Sequence, residues 1–166
     1  NAMPAIHHRN PGVIPAAAEN PMVRAELICD GMHICPEMVK MAYLCKGDEH
    51  LVLITDSMEA TGGEDGEYSI AGMKVIVKDG KALTIDGALA GSTLSLLDGV
   101  KNLAKFAKIP VATALRCATY TPACMVGIDD YVGSLEVGKQ ADILIADEQN
   151  GDITLTAVLK GGRVVA

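Results

Sequence analysis

Three features of the sequence predict an α/β fold. Leu51 to Thr55 is an apolar run without helical periodicity that stops abruptly at Asp56, which is how a strand buried on both faces reads. A second apolar run, Ala25 to Cys29, precedes it, and a helix-forming stretch lies between them. The order strand, helix, strand favours a parallel pair joined by a right-handed crossover. The third feature is capacity: 166 residues with 49% hydrophobic content can bury the core of one ordinary domain or two very small ones.

The elements follow in order. Asn1 to Pro21 is loop-like, with prolines at Pro4, Pro11, Pro15 and Pro21, a short helix possible over Val13 to Glu19, and a basic spot at His7-His8-Arg9. After the Ala25 run comes Asp30-Gly31-Met32-His33, then Pro36 opens a helix through Leu44 that Gly47 can close. From Gly62 the texture turns to short alternating runs, Tyr68 to Ile70, Met73 to Val77 and Ala82 to Ile85, with turns at Gly72, Asp79-Gly80 and Asp86-Gly87. These predict a small antiparallel hairpin system. Ser92 and Thr93 are read as caps of a helix with apolar positions Leu96, Val100, Leu103 and Ala107. A second helix is expected near Pro110, with Val111, Ala114, Leu115 and Ala118 on one face, and a short third near Pro122. Strands return at Ala141 to Ala146, Ile153 to Leu159 and Arg163 to Val165, separated by turns at Asn150-Gly151 and Gly161-Gly162. Two parallel strands cannot close a barrel, and the outer β runs cannot complete a large sandwich, so the chain reads as part of something larger.

Composition narrows the function classes. A formal net charge of −7 with 14 scattered basic residues argues against a nucleic-acid surface. No apolar stretch approaches the roughly 20 residues that span a bilayer, and the N-terminus carries no charged-then-apolar secretion signal, so no membrane association and a cytoplasmic location are expected. The five cysteines, Cys29, Cys35, Cys45, Cys117 and Cys124, sit in apolar periodic segments and read as buried small hydrophobes of a reducing compartment. His33-Ile34-Cys35 has no companion pair at metal-ligand spacing, so no metal is expected within this chain.

The candidate chemistry starts at Asp56. A residue at the carboxyl end of a buried parallel strand faces the ligand crevice in α/β enzymes, where a catalytic acid or base sits; an aspartate that only closes a turn reads the same way. His33 would emerge at the same end of the pair. Taken alone, His33 suits a hydrogen-bonded structural histidine and Arg9 a surface charge, while His7, His8, His50 and the acidic loop Glu59, Glu64 and Asp65 read as solvated.

Several segments in order carry a family resemblance. Asn-Ala-Met-Pro at Asn1 to Pro4, His-His-Arg-x-Pro-Gly at His7 to Gly12, Ala-Glu-Leu-Ile-x-Asp-Gly-x-His at Ala25 to His33 and Leu-Ile-Thr-Asp at Leu53 to Asp56 are joined by three more. Those are Gly-x-Leu-Ala-Gly-Ser-Thr-Leu at Gly87 to Leu94, Ala-Thr-x-x-Pro-Ala at Ala118 to Ala123 and Gly-Ser-Leu-x-x-Gly-Lys-x-Ala-Asp at Gly133 to Asp142. Together they resemble the C-terminal half of the N-acetylglucosamine-6-phosphate deacetylases of the amidohydrolase superfamily, over essentially the whole chain. The last motif is shared widely among amidohydrolases; the first four are the specific ones.

The resemblance implies the last strands and helices of a TIM-like (β/α)8 barrel plus part of a small β-sandwich, an incomplete barrel. Residues 1–61 would be C-terminal barrel strands and substrate loops, 62–86 a β-hairpin insertion, 87–130 barrel-flanking helices and 131–166 the C-terminal part of the sandwich. Asp56 matches the general base that then serves as general acid to the departing amine. His33 matches the histidine that contacts the sugar phosphate, Arg9 the arginine that binds its phosphate from the neighbouring subunit of a dimer, and Asn1 and Ala2 the lining of the phosphate pocket. A guanidinium suits phosphate because it donates two parallel hydrogen bonds. The divalent metal, zinc or iron, is held in that family by a glutamate and two histidines on earlier strands that this sequence does not contain. The expected parent is therefore a metal-dependent deacetylase of N-acetylglucosamine 6-phosphate, self-associating as a homodimer or higher, with this chain inactive alone. The alternatives are a non-catalytic, self-associating fragment and a metal-free sugar-phosphate binding module.

Overall fold

A computed structural model describes residues 3–149 and 152–166. Asn1, Ala2 and the turn expected at Asn150-Gly151 therefore lie outside the described residues. The chain begins with α1 (Val13–Glu19), β1 (Ala25–Ile28), α2 (Pro36–His50) and β2 (Leu51–Ile54). The hairpin strands β3 (Gly66–Ile70), β4 (Met73–Lys78) and β5 (Lys81–Thr84) follow, then α3 (Leu96–Ala107), α4 (Val111–Arg116) and α5 (Tyr120–Val126). It ends with β6 (Ile143–Gln149), β7 (Asp152–Lys160) and β8 (Arg163–Val164).

β1 and β2 pair in parallel, in register from Ala25 opposite Leu51 to Ile28 opposite Ile54, so the predicted β-α-β unit forms. α2 is the crossover: Pro36 occupies its first turn and Gly47, at φ 63° and ψ −174°, breaks it where the sequence places a stop. The far edge of β2 is not bare, because Leu53 N donates to Cys117 O at 2.8 Å and so ties the strand to the end of α4.

α3 lies across this pair. Its cap differs from the one expected: Ser95, not Ser92 or Thr93, accepts from Asp98 N at 3.1 Å. The cap sits directly before the first helical residue, whereas the earlier two hydroxyls are drawn into other contacts, Thr93 donating to Gly80 O at 2.8 Å. Val100, Leu103 and Ala107 are buried as the spacing predicts, while Leu96, in the first turn, is exposed. They form one core with Leu27, Cys29, Val39, Leu51, Leu53, Ala114 and Cys117.

The remaining strands make two three-stranded antiparallel sheets, β3-β4-β5 and β6-β7-β8. The first has its own small core of Val75, Val77, Ala82, Ala60 and Ala90, while the second contributes Ile153 to the main core. The acidic loop is not merely solvated: Glu59 accepts from Ser69 N at 2.9 Å and Asp65 from Asp79 N at 2.8 Å, stapling the hairpin. The cysteine expectation needs correction too. Cys29 and Cys117 are buried, but Cys35 and Cys45 are exposed, since Cys35 precedes α2 at its cap and Cys45 lies on its outer side.

Between β2, α5 and the β6–β7 pair runs an open apolar groove of about 670 Å³, lined by Val52, Ile54, Leu97, Leu144 and Leu155 among others. Among the described residues no helix is long and apolar enough to cross a membrane.

The core predicts its own weak point. Leu103 is fully buried in the core it shares with Leu27, Leu51 and Leu53, so Leu103→Ala is expected to cost about 2–5 kcal/mol, seen as a lower urea midpoint at unchanged m-value.

Candidate active site

The parallel register brings two strand ends level, and the polar residues just past them converge. β1 runs into Asp30-Gly31-Met32-His33 and β2 into Thr55-Asp56-Ser57. His33 Nε2 lies 3.8 Å from Asp56 Oδ2, so the two residues expected at one end of the pair do meet. The histidine ring is largely buried, with 12% of its side chain exposed, whereas Asp56 is 52% exposed. One member of the pair is held and the other is open to water.

Asp56 stands in the left-handed region at φ 53°, a conformation that costs an ordinary residue about 1–2 kcal/mol and that aspartate tolerates better than most. The backbone is fixed there from outside the strand. Ser92 N donates to Asp56 O at 2.8 Å and Met58 N to Ser92 O at 2.9 Å, a short parallel bridge between segments far apart in sequence. Gly91, at φ 71°, allows this approach, since a Cβ there would stand 3.3 Å from Asp56 O.

Asp30 organises the other half. Its Oδ1 accepts from Met32 N at 2.8 Å and His33 N at 2.9 Å; its Oδ2 meets His33 Nδ1 at 2.7 Å and accepts from Ser92 Oγ at 3.2 Å. Only 3% of the side chain is exposed. Burial alone would push this carboxyl up, but the amides of His33 and Met32 and the His33 ring outweigh it and hold it below the usual carboxylate range. Asn102 Nδ2 donates to Cys29 O at 2.8 Å and anchors the end of β1 to α3. Cys29 is no ligand or nucleophile: burial first, then Asp30 and Cys117, push its thiol up to about 12.

Asp30, Ser92 and Asn102 escape a reading by residue type. The visible signals are modest: a carboxylate three residues before His33 across a glycine, and a serine after Gly91 taken for a cap. Arg9 bonds within its own exposed segment, Nη1 to His8 Nε2 at 2.8 Å and its amide to His7 Nδ1 at 3.3 Å. Among the described residues no hydrogen bond or ion pair joins it to His33 or Asp56. Asn1 and Ala2 lie outside them. No group of three or more His, Cys, Asp or Glu there could hold a metal ion, so the described residues do not fit a resident metal by themselves.

Residues 29–165 match the profile of the amidohydrolase family. The chain is 41% identical to an N-acetylglucosamine-6-phosphate deacetylase of Vibrio furnissii over 99% of its own length and 40% of that protein's. It is 39% identical to a putative N-acetylgalactosamine-6-phosphate deacetylase of Escherichia coli K12, over 89% of this chain and 87% of the relative. Among solved structures it is similar, with a TM-score of 0.91 and 31% identity, to a mutant N-acetyl-D-glucosamine-6-phosphate deacetylase from Mycobacterium smegmatis in complex with N-acetyl-D-glucosamine-6-phosphate. That match covers 99% of this chain and 43% of the other. The chain thus spans about two fifths of the Vibrio and Mycobacterium proteins and most of the shorter Escherichia one.

The carboxyl of Asp30 gives a pH signature. Because its folded value lies below the unfolded one of about 3.9, it adds stability above that pH and loses it as pH falls through the folded value. The unfolding free-energy gap between wild type and Asp30→Asn should be full at neutral pH and shrink below about pH 4. Urea titrations of both proteins across that range measure it.

Proposed function

Since the chain belongs to the amidohydrolase family, we propose that it is the substrate-proximal part of a deacetylase that hydrolyses N-acetylglucosamine 6-phosphate to acetate and glucosamine 6-phosphate. The observation that carries this reading is the 3.8 Å approach of His33 to Asp56 at the carboxyl ends of two parallel strands. It is supported by likeness to deacetylases named for that sugar phosphate. In this reading β1 and β2 are the last strands of a (β/α)8 barrel, and the apolar groove beside β2 is covered in the whole protein.

Amide hydrolysis needs one group to take a proton and give it back. A water oxygen bonds to the amide carbon as Asp56 takes the proton that the water sheds. The C–N bond then breaks, and the same proton passes to the departing amine nitrogen, leaving acetate and a free amino sugar. The exposure of Asp56 suits a group that must reach water, and the left-handed backbone aims it out of the strand. His33 contacts and orients the sugar. Arg9 binds the phosphate, across a subunit contact in a dimer, and Asn1 and Ala2 line the same pocket.

A divalent zinc or iron, as the family implies, would polarise the carbonyl and acidify the water. The described residues of this chain do not supply its ligands, which the rest of the parent protein would provide. Likeness to a relative named for the galactosamine epimer makes N-acetylgalactosamine 6-phosphate the second substrate to assay.

In the full-length parent, Asp56→Asn should lower acetate release by on the order of 100- to 10,000-fold, measured as kcat; retained turnover would remove Asp56 from the role. Arg9→Ala should instead raise KM for the phosphorylated sugar roughly 10- to 100-fold, the value of a charge-assisted contact, with kcat little changed. An unphosphorylated substrate should not sense that change.

A further inference from the structure

The contacts of Asp30 exceed what holding a loop requires. Its two backbone bonds to Met32 and His33 already close the turn after β1, and both use Oδ1. Oδ2 is spent on the His33 ring and on Ser92. Ser92 is itself buried and fixed, accepting from Leu94 N at 3.1 Å through Oγ while its backbone holds Asp56 and Met58.

An ionised carboxylate only accepts hydrogen bonds, so a partner 2.7 Å away at Nδ1 must carry a proton. The other ring nitrogen then has no fixed proton. It faces Asp56 Oδ2 at the mouth of the site. We infer that Asp30, braced by Ser92, is a positioning residue for His33. Its carboxylate keeps a proton on Nδ1, so that Nε2 is the single ring atom through which His33 meets a molecule in the site. The ring is thereby held in one orientation and one tautomer, with Nε2 the atom it presents to the site. Because Ser92 also holds the backbone of Asp56, one buried hydroxyl sets the orientation of the histidine and the position of the aspartate together.

The inference rests on the deacetylase reading only for what Nε2 meets. Its test has two arms. Nitrogen-15 histidine labelling of the chain, with His33 assigned by loss of its signals in His33→Gln, reads the tautomer directly at a pH where the ring is neutral. Wild type should show a protonated Nδ1 and a bare Nε2; a proton on Nε2 instead would overturn the inference, whatever any variant does. In Asp30→Asn an amide group replaces the acceptor at Nδ1, and the proton should move to Nε2; retention on Nδ1 would equally overturn it. In the full-length parent the same substitution should raise KM on the order of 10- to 100-fold, because His33 contacts the sugar, with kcat less affected. An unchanged KM would count against a role in orienting His33 towards the sugar. Absence of acetate release by the wild-type parent would sink the functional reading while leaving the tautomer result to stand or fall on its own.

Discussion

Parallel pairing of two four-residue strands is the constraint on which the rest depends. The register aligns Ile28 with Ile54, so the chain leaves both strands at the same level. Five residues beyond Ile28 is His33, and two beyond Ile54 is Asp56; only this alignment lets them face each other. An antiparallel pair would have put them at opposite ends, with no shared chemistry. The pair is held in one core by Leu27, Leu51 and Leu53 with Val100 and Leu103 of α3, and at its margins by the Asn102 side chain donating to Cys29 O and by Leu53 N donating to Cys117 O. Apolar burial sets the register, and a few directed hydrogen bonds sharpen it at the carboxyl ends of the strands.

Around that end the structure divides its labour. Asp30 is buried and fully engaged, and its four donors leave it neither the freedom nor the access to take part in chemistry with an incoming molecule. Asp56 is exposed and has its backbone, not its carboxylate, tied down. Two aspartates with the same intrinsic acidity are thus set in opposite environments by the number and direction of their hydrogen bonds.

The fold was legible where hydrophobic period and turn residues agreed. The β-α-β unit, the break at Gly47, the hairpin turns and the buried stripe of α3 all follow from residue spacing. Both ends of the candidate pair were legible as well, because a carboxylate closing a buried strand and a histidine beyond a neighbouring one stand out by position. Asp30 and Ser92 were not, since their importance lies in long-range contacts, 62 residues apart, that no local pattern encodes. The cap of α3 shows the same limit: three hydroxyls within four residues look alike in sequence, and only tertiary contacts decide that Ser95 caps while Ser92 and Thr93 serve other partners. Exposure of Cys35 and Cys45 escaped for a related reason, because a small apolar residue carries little information about whether it will fall at a helix cap or on the helix's outer side.

The left-handed backbone at position 56 limits which side chains evolution or a protein engineer could install there. Asparagine and glycine fit that conformation at little cost, whereas glutamate or a β-branched residue would have to drag the loop after β2 towards a different path. A longer carboxylate is therefore no simple extension of reach at this site. The backbone acts as a filter on mutational routes, favouring the short acid and its amide isostere over every other way of placing an oxygen at the strand's end.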